Sequence, residues 1–266
     1  MKINGSATVI LTSVALALGS APALASDEAS EGALTGSALR SACTGLPTQS
    51  QLKAALTMAR DDANGGFNLD MWGTVVNRDG VVCAVAFTGA NRGSQWPGSR
   101  VISAQKANTA NAFSLPGLAL STADLWAAVQ PGGSLYGLQH SNPVDPRAAY
   151  HGPASEYGMP DDPLVGRRIG GVNVFGGGLA LYNSKKILIG AVGVSGDTSC
   201  ADHNIAWKLR HALNLDYLTT AKVKGLSPAP KQDTILYDLA DGKSKSGFGH
   251  PVCGFKEDAV DLPPTR

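Results

Sequence analysis

The chain has 266 residues, and its 22 lysines and arginines nearly balance 21 aspartates and glutamates, which gives a formal net charge of +1. This balance excludes the strongly basic surface that binding to nucleic acid or to anionic lipid requires. The length fits one large domain or two small ones, so the pattern along the chain has to decide between them.

The first 25 residues are typical of a secretory signal peptide. Lys2 is the only charged residue there, an uncharged apolar stretch runs from Ala7 to Leu18, and small residues end the segment at Ala25. The apolar stretch is shorter than the ~20 residues that cross a bilayer, which disfavours a membrane anchor. We therefore predict cleavage after Ala25 and a periplasmic or secreted mature chain with no membrane insertion.

Four cysteines, Cys43, Cys83, Cys200 and Cys253, are widely spaced along the chain. An even number in an exported protein favours two disulfides, and no CxxC or CxxH spacing indicates zinc. We favour Cys200 with Cys253 and Cys43 with Cys83, because the tail that carries Cys253 has little apolar content and needs a tether. A free Cys200 near a helix start would instead have a lowered thiol pKa and a functional role.

The first predicted elements are a helix and a hairpin. Residues 26–46 are small and polar and are predicted to be a flexible leader. Thr48 and Gln51 have the spacing of a capping box, and the helix that they begin ends at Gly65 and Gly66. Two β-rich runs then form a predicted hairpin, 72–77 and 81–87.

A second helix is predicted over 99–114, and its inner face carries an unusual lysine. Lys106 shares that face with apolar residues and Thr109. Its stem can pack while the ammonium reaches water, or the ammonium can point into a pocket and meet an anionic ligand. Both interpretations stay open at this point.

A third, short helix is predicted from Ser121, and a long insertion follows it over 131–171. The insertion is rich in Gly, Pro and Asp and has no periodicity. Such long loops within a domain are usually functional or disordered, so we expect either a lid over a site or a surface elaboration for subunit contacts.

The second half of the predicted domain contains strands and a long helix. The runs 172–175, 179–183 and 187–195 have the composition of strands. Thr198 or Ser199 caps a last helix that extends to about Leu215. The C-terminal extension, 219–266, is predicted to be irregular apart from one short strand at 235–239.

Several motifs occur in a fixed order within this pattern, and together they resemble the GlcG/HbpS-like haem-binding family. The resemblance covers Leu52 to Leu213 and depends on four segments: Gln105-Lys106-Ala107-Asn108-Thr109-Ala110, Gly170-Gly171-Val172, Gly190-Ala191-Val192-Gly193-Val194-Ser195-Gly196, and Asp202.

The resemblance implies an α+β fold with a five-stranded antiparallel sheet and helices packed on it, in a profilin/PAS-like three-layer arrangement over 47–218. It also implies haem or a related tetrapyrrole as the ligand, and a homo-oligomer. Haem breakdown has been proposed for some members. The insertion 131–171 and the cysteine-bearing tail depart from the family pattern, so either segment could cover or replace the family pocket.

Haem needs an apolar slot, one or two axial donors and cations for its propionates. The resemblance places Lys106 and Thr109 on the motif helix, as a propionate contact and an oxygen donor. We choose His203 as the candidate iron ligand and Arg210 as a further cofactor-binding residue, because the helix face that they share with Trp207 can frame a porphyrin edge.

A hydrolase is the weaker chemical hypothesis, and we assign no catalytic residue. Ser195, Asp197 and His203 are close in sequence, yet the nucleophile-elbow pattern needs a glycine where Asp197 stands. We favour a non-catalytic haem-binding protein for storage, scavenging or sensing. The alternatives are a small-metabolite enzyme that uses the same pocket and a secreted oligomeric assembly module with no ligand.

Overall fold

The computed structural model describes residues 32–218, 225–226 and 231–266. The predicted signal peptide lies outside the described residues, and so does the first part of the predicted leader. No helix in these three ranges is both long enough and apolar enough to cross a membrane.

The core is a four-stranded antiparallel sheet made of two hairpins. Its strands are β1 (Trp72–Asn77), β2 (Val82–Phe87), β3 (Gly178–Tyr182) and β4 (Leu188–Ser195), in the order β2-β1-β4-β3. The hairpins meet where β1 pairs with β4, with Trp72 opposite Ser195. Both hairpins are confirmed.

The expected five-stranded sheet is wrong by one strand. The run Val172–Phe175 was predicted to pair, but its backbone donors bond to side chains instead. The amide of Asn173 donates to Oγ1 of Thr109 at 3.0 Å, and that of Phe175 to Oδ1 of Asn173 at 3.1 Å. Gly170 and Gly171, which precede the run, have positive φ angles of 60° and 80° and break the extended conformation.

Helices cover both faces of the sheet, which confirms the three-layer arrangement. Helix α2 (Gln49–Asp61) and the last long helix, α6 (Ser199–Ala212), pack on one face, and α3 (Ser99–Phe113) packs on the other. Successive strand residues point to opposite faces, so Val75 contacts the α2–α6 side and Val76 the α3 side. This burial on two faces explains why the strands are continuous apolar runs.

The predicted helix caps are formed. Thr48 and Gln51 make a capping box at α2, and Oγ1 of Thr198 accepts the amide of Ala201 at 3.2 Å at the start of α6. Ser121 and Asp124 also cap each other, but they begin two short 3₁₀ turns, at Ala123–Leu125 and Ala127–Val129, where an α-helix was predicted.

Part of the predicted flexible leader is ordered as helix α1 (Gly36–Ala42). None of the residues of α1 is buried, so the helix has no apolar stripe that a sequence pattern could reveal. The disulfide between Cys43 and Cys83 attaches its end to β2, and the amide of Leu34 donates to the carbonyl of Gly166 at 2.8 Å.

The insertion 131–171 folds onto α3. It contains two single-turn helices, α4 (Leu138–Ser141) and α5 (Pro146–Ala149), and its residues Leu164 and Ile169 belong to the apolar cluster of α3. The insertion therefore contributes to the core on that side of the sheet.

The predicted strand 235–239 in the tail is wrong. A two-residue hairpin forms instead, from β5 (Leu239–Ala240) and β6 (Lys243–Ser244). Ile235 is buried in a small cluster with Ala123 and Cys200, so its apolar character reflects packing on the domain and not strand pairing.

Glycine at position 193 allows α3 to pack closely on β4. A Cβ atom there would overlap the carbonyl oxygen of Ser103 and lie 2.5 Å from the amide nitrogen of Ala107. We expect Gly193→Ala to lower the free energy of unfolding by about 1–3 kcal/mol, because a packed helix backbone has to move. Gly98→Ala is the matched control, since a Cβ atom at Gly98 meets nothing within 4 Å. Urea unfolding measures both, and equal stability of the two variants would contradict the close packing.

Candidate functional site

The side chain of Lys106 joins the two helical layers at one end of the sheet. It is 2% exposed, and its Nζ donates to Oδ2 of Asp202 at 2.7 Å and to the carbonyl of Val194 at 3.1 Å. Gly177, with φ of +116°, gives it room, because a Cβ atom there would lie 3.1 Å from that Nζ. The ammonium therefore meets an anion of the chain itself, which neither sequence interpretation anticipated.

Asp202 links α6 to the strand end as well as to Lys106. Its Oδ1 accepts the amide of Asp197 at 2.8 Å, so both carboxylate oxygens have partners. Burial raises the pKa of Asp202 to about 6, although the neighbouring Lys106 ammonium acts in the opposite direction. The family motifs that contain these two residues thus meet in a buried ion pair.

The hydroxyl of Thr109 is fully used within the fold. Its Oγ1 donates to the carbonyl of Gln105 at 2.8 Å and accepts the amide of Asn173 at 3.0 Å. Thr109 is buried, and it anchors the segment that was predicted to be a strand.

His203 is a buried neutral imidazole. It is 1% exposed, and neither ring nitrogen has a hydrogen-bond partner within the described part of the chain. Burial lowers its pKa to about 3, and the positive charge of Arg210 contributes to this shift. A neutral imidazole with a free nitrogen is the form that binds metals.

Arg210 is completely buried and is held by a residue from the tail. Its guanidinium makes a bidentate ion pair with Asp233, with Nη2 to Oδ1 at 3.0 Å, and Nη1 donates to the carbonyl of Ala180 at 3.1 Å. The guanidinium also lies over the ring of Trp207, 4.9 Å from its centroid. Sequence reasoning missed Asp233, since nothing local marks it in the aperiodic tail.

These four predicted residues do not line one open slot. Lys106 and Thr109 belong to the α3 layer, and His203 and Arg210 belong to the α6 layer on the other face of the sheet; Lys106 reaches across. Both cations are paired with carboxylates of the chain, and His203 is enclosed. The arrangement as it stands does not fit a haem, because it offers no free cation for the propionates and no path to the imidazole.

A small cavity of about 230 Å³ lies elsewhere, where the end of α2 meets the β4–α6 turn. Arg60, Asn64, Asp197 and Phe255 are among its lining residues. The carboxylate of Asp197 accepts backbone amides there, including that of Leu69 at 3.0 Å, so it stabilises a loop. The volume is below the range of about 300–1,000 Å³ that is typical of small-molecule sites.

Both predicted disulfides are present. Cys43 is bonded to Cys83, and Cys200 to Cys253, with Cα–Cα distances of 5.6 Å and 6.1 Å. Cys200 is the second residue of α6, so this bridge attaches the tail to the helix that carries His203 and Arg210.

Comparisons with solved structures give three related chains. A PduOC:haem complex is 25% identical and matches 64% of this chain and 94% of its own, with a TM-score of 0.45. The ORFY protein of Klebsiella pneumoniae is 25% identical, with 63% and 90% covered and a TM-score of 0.42. A double mutant of HbpS from Streptomyces reticuli is 16% identical, with 78% and 99% covered and a TM-score of 0.41.

A comparison with curated proteins finds no match. The model of one protein family does match, and its description is "Haem degrading protein HbpS-like". The match runs over residues 48–209, which is more than half of the chain and includes the sheet, α2, α3 and most of α6. The chain therefore belongs to the HbpS-like haem-degrading protein family.

Proposed function

We propose that the chain is an exported protein that binds haem, for storage, scavenging or sensing, at an opened form of the cluster around His203. The family match supports the ligand class, and the signal-like N-terminus and two disulfides support a periplasmic or secreted location.

The observation that carries this proposal is the buried imidazole between two buried cations. A polar side chain that is buried without hydrogen bonds costs free energy, so a fold that keeps one is expected to use it. Haem has a metal centre and two carboxylates, and these groups match an imidazole flanked by Lys106 and Arg210 once the carboxylates of the chain are displaced.

Hemin titration of the mature chain tests the proposal. We expect a Soret band distinct from that of free hemin, and we expect His203→Phe to weaken binding by at least tenfold. His151→Phe is the matched control, because His151 is exposed in the insertion. A spectrum equal to that of hemin in buffer, for the native chain and for every variant with an opened tail, would overturn the proposal.

The closed arrangement itself favours a second candidate, a secreted oligomeric assembly module with no ligand. On this hypothesis the charged pairs serve only stability, and the insertion and the tail make the subunit contacts. Light scattering would then show a homo-oligomer of defined mass that hemin leaves unchanged.

A further inference from the structure

The described tail, residues 231–266, covers the side of α6 on which the candidate site lies. Its contacts follow the helix from end to end. His250 lies 3.3 Å from Ser199 between Nε2 and Oγ, Asn204 donates to the carbonyl of Glu257 at 3.0 Å, and Trp207 donates to that of Pro263 at 2.8 Å.

Ile235 of the tail closes the space beside His203. A Cβ atom on Gly176 would lie 3.0 Å from Cβ of His203 and 3.2 Å from Cδ1 of Ile235, so all three residues are neighbours. The imidazole is enclosed partly because this tail residue occupies the position next to it.

Asp233 binds Arg210 as an anionic ligand would. Arginine recognises a carboxylate through two parallel hydrogen bonds, and Asp233 provides this geometry from a segment with no regular structure. The side chains of both residues are 0% exposed, so a ligand carboxylate can reach the guanidinium only after Asp233 leaves.

We propose that residues 231–266 are a cover over this site, that Asp233 occupies the position of a ligand carboxylate on Arg210, and that the Cys200–Cys253 disulfide latches the cover. This inference rests on the proposed function. It assigns to Arg210 a carboxylate of an anionic tetrapyrrole, and it makes binding of that ligand dependent on the redox state of one disulfide.

The latch opens by thiol–disulfide exchange with a dithiol reductant. A thiolate of the reductant attacks Sγ of Cys253, the S–S bond breaks, and Cys200 leaves as a thiolate. The second thiol of the reductant then displaces Cys253 from the mixed disulfide, so that two cysteine thiols and one oxidised reductant result. Cys253 is partly exposed and Cys200 is buried, which favours this direction of attack.

The position of Cys200 makes it the better leaving group. It is the second residue of α6, where the helix N-terminus lowers the pKa of a thiol, and its own amide already points at Sγ of Cys253 at 3.3 Å. A thiol with a lower pKa leaves faster in the exchange.

Hydrogen exchange tests the latch without haem. We expect backbone amides of 231–250 to exchange at least tenfold faster in the Cys200→Ser/Cys253→Ser chain than in the native chain, because the tail then opens more often. Cys43→Ser/Cys83→Ser is the matched control, and in it the tail should keep its protection until a dithiol reductant is added. Equal protection in the two double variants would overturn the latch. Circular dichroism shows that each variant is folded.

Hemin affinity tests the cover. We expect at least tenfold tighter binding for Cys200→Ser/Cys253→Ser and for Asp233→Asn, because a larger fraction of the chain is then competent to bind. Asp241→Asn, at the exposed turn of the tail hairpin, is the control for Asp233→Asn.

The outcomes separate the two proposals. Native binding as tight as that of the opened variants overturns the cover and leaves haem binding intact. Faster exchange with unchanged affinity overturns it as well. If Asp233→Asn binds hemin like Asp241→Asn, the carboxylate substitution is wrong. If no variant binds hemin, the proposed function fails and the cover fails with it, whereas the exchange data still decide whether the disulfide holds the tail.

Discussion

Replacing Arg100 with methionine should lower the free energy of unfolding by about 3–5 kcal/mol, because a buried charge then loses its partner. Arg100, near the start of α3, makes a bidentate ion pair with Asp162 of the insertion, and the two side chains are 2% and 0% exposed. The guanidinium also donates to the carbonyl of Ala149 at 2.8 Å and lies over the ring of Tyr157, 3.6 Å from its centroid.

The loss should exceed that of an ordinary core substitution, since Asp162 organises the insertion as well. Its carboxylate accepts the amides of Gly158 at 2.6 Å and Leu164 at 2.8 Å. Arg92→Met is the control, because Arg92 is exposed in the loop before α3, and its stability should stay within about 0.5 kcal/mol of the native chain. Urea unfolding measures both variants. A small effect at Arg100 would mean that water reaches the pair and that the insertion is a loosely attached lid.

The elements that could be predicted from the sequence are those with a local signal. Both hairpins, the capping box at Thr48 and the cap at Thr198 follow from residues that are close in the chain. The two disulfides were predicted because the compartment favours oxidation and the tail lacks apolar residues. In each case neighbouring residues or simple chemistry determine the structure.

The features that were missed depend on contacts between distant segments. Helix α1 buries no residue and is placed by a disulfide, so no periodic pattern marks it. The run Val172–Phe175 has the composition of a strand, but Thr109 takes the first of its hydrogen bonds. The aspartates that neutralise Arg100 and Arg210 are 62 and 23 residues away in sequence.

The candidate site shows the same division. The motif resemblance found Lys106 and Asp202, which the structure joins directly. The resemblance did not show that the tail closes the cluster, because the tail lies beyond the residues that the family shares. Predicting which residues cluster was therefore possible, whereas predicting their partners required the fold.

His203 should make the protein acid-sensitive, and His203→Phe should remove that part of the sensitivity. The pKa of His203 is about 3 in the folded chain, against 6.5 for an ordinary histidine, because burial disfavours the imidazolium. Between these two pH values the unfolded chain binds the proton and the folded chain does not, so stability falls as the pH falls from 6.5 toward 3. From pH 7 to pH 4.5 this one group accounts for a loss of about 3 kcal/mol.

The difference between native and variant chains isolates this contribution. Asp202 acts in the opposite direction, since its pKa is raised to about 6 and it gains stability as the pH falls toward its unfolded value. His250, whose pKa is lowered to about 4, adds to the acid loss. Both groups remain in His203→Phe, so urea unfolding from pH 7 to 4.5 should show the variant gaining about 3 kcal/mol relative to the native chain, with His151→Phe as the control that stays parallel to it. Parallel curves for His203→Phe would mean that the folded chain already protonates this imidazole, which requires water at the cluster and a cover that is open in the resting protein.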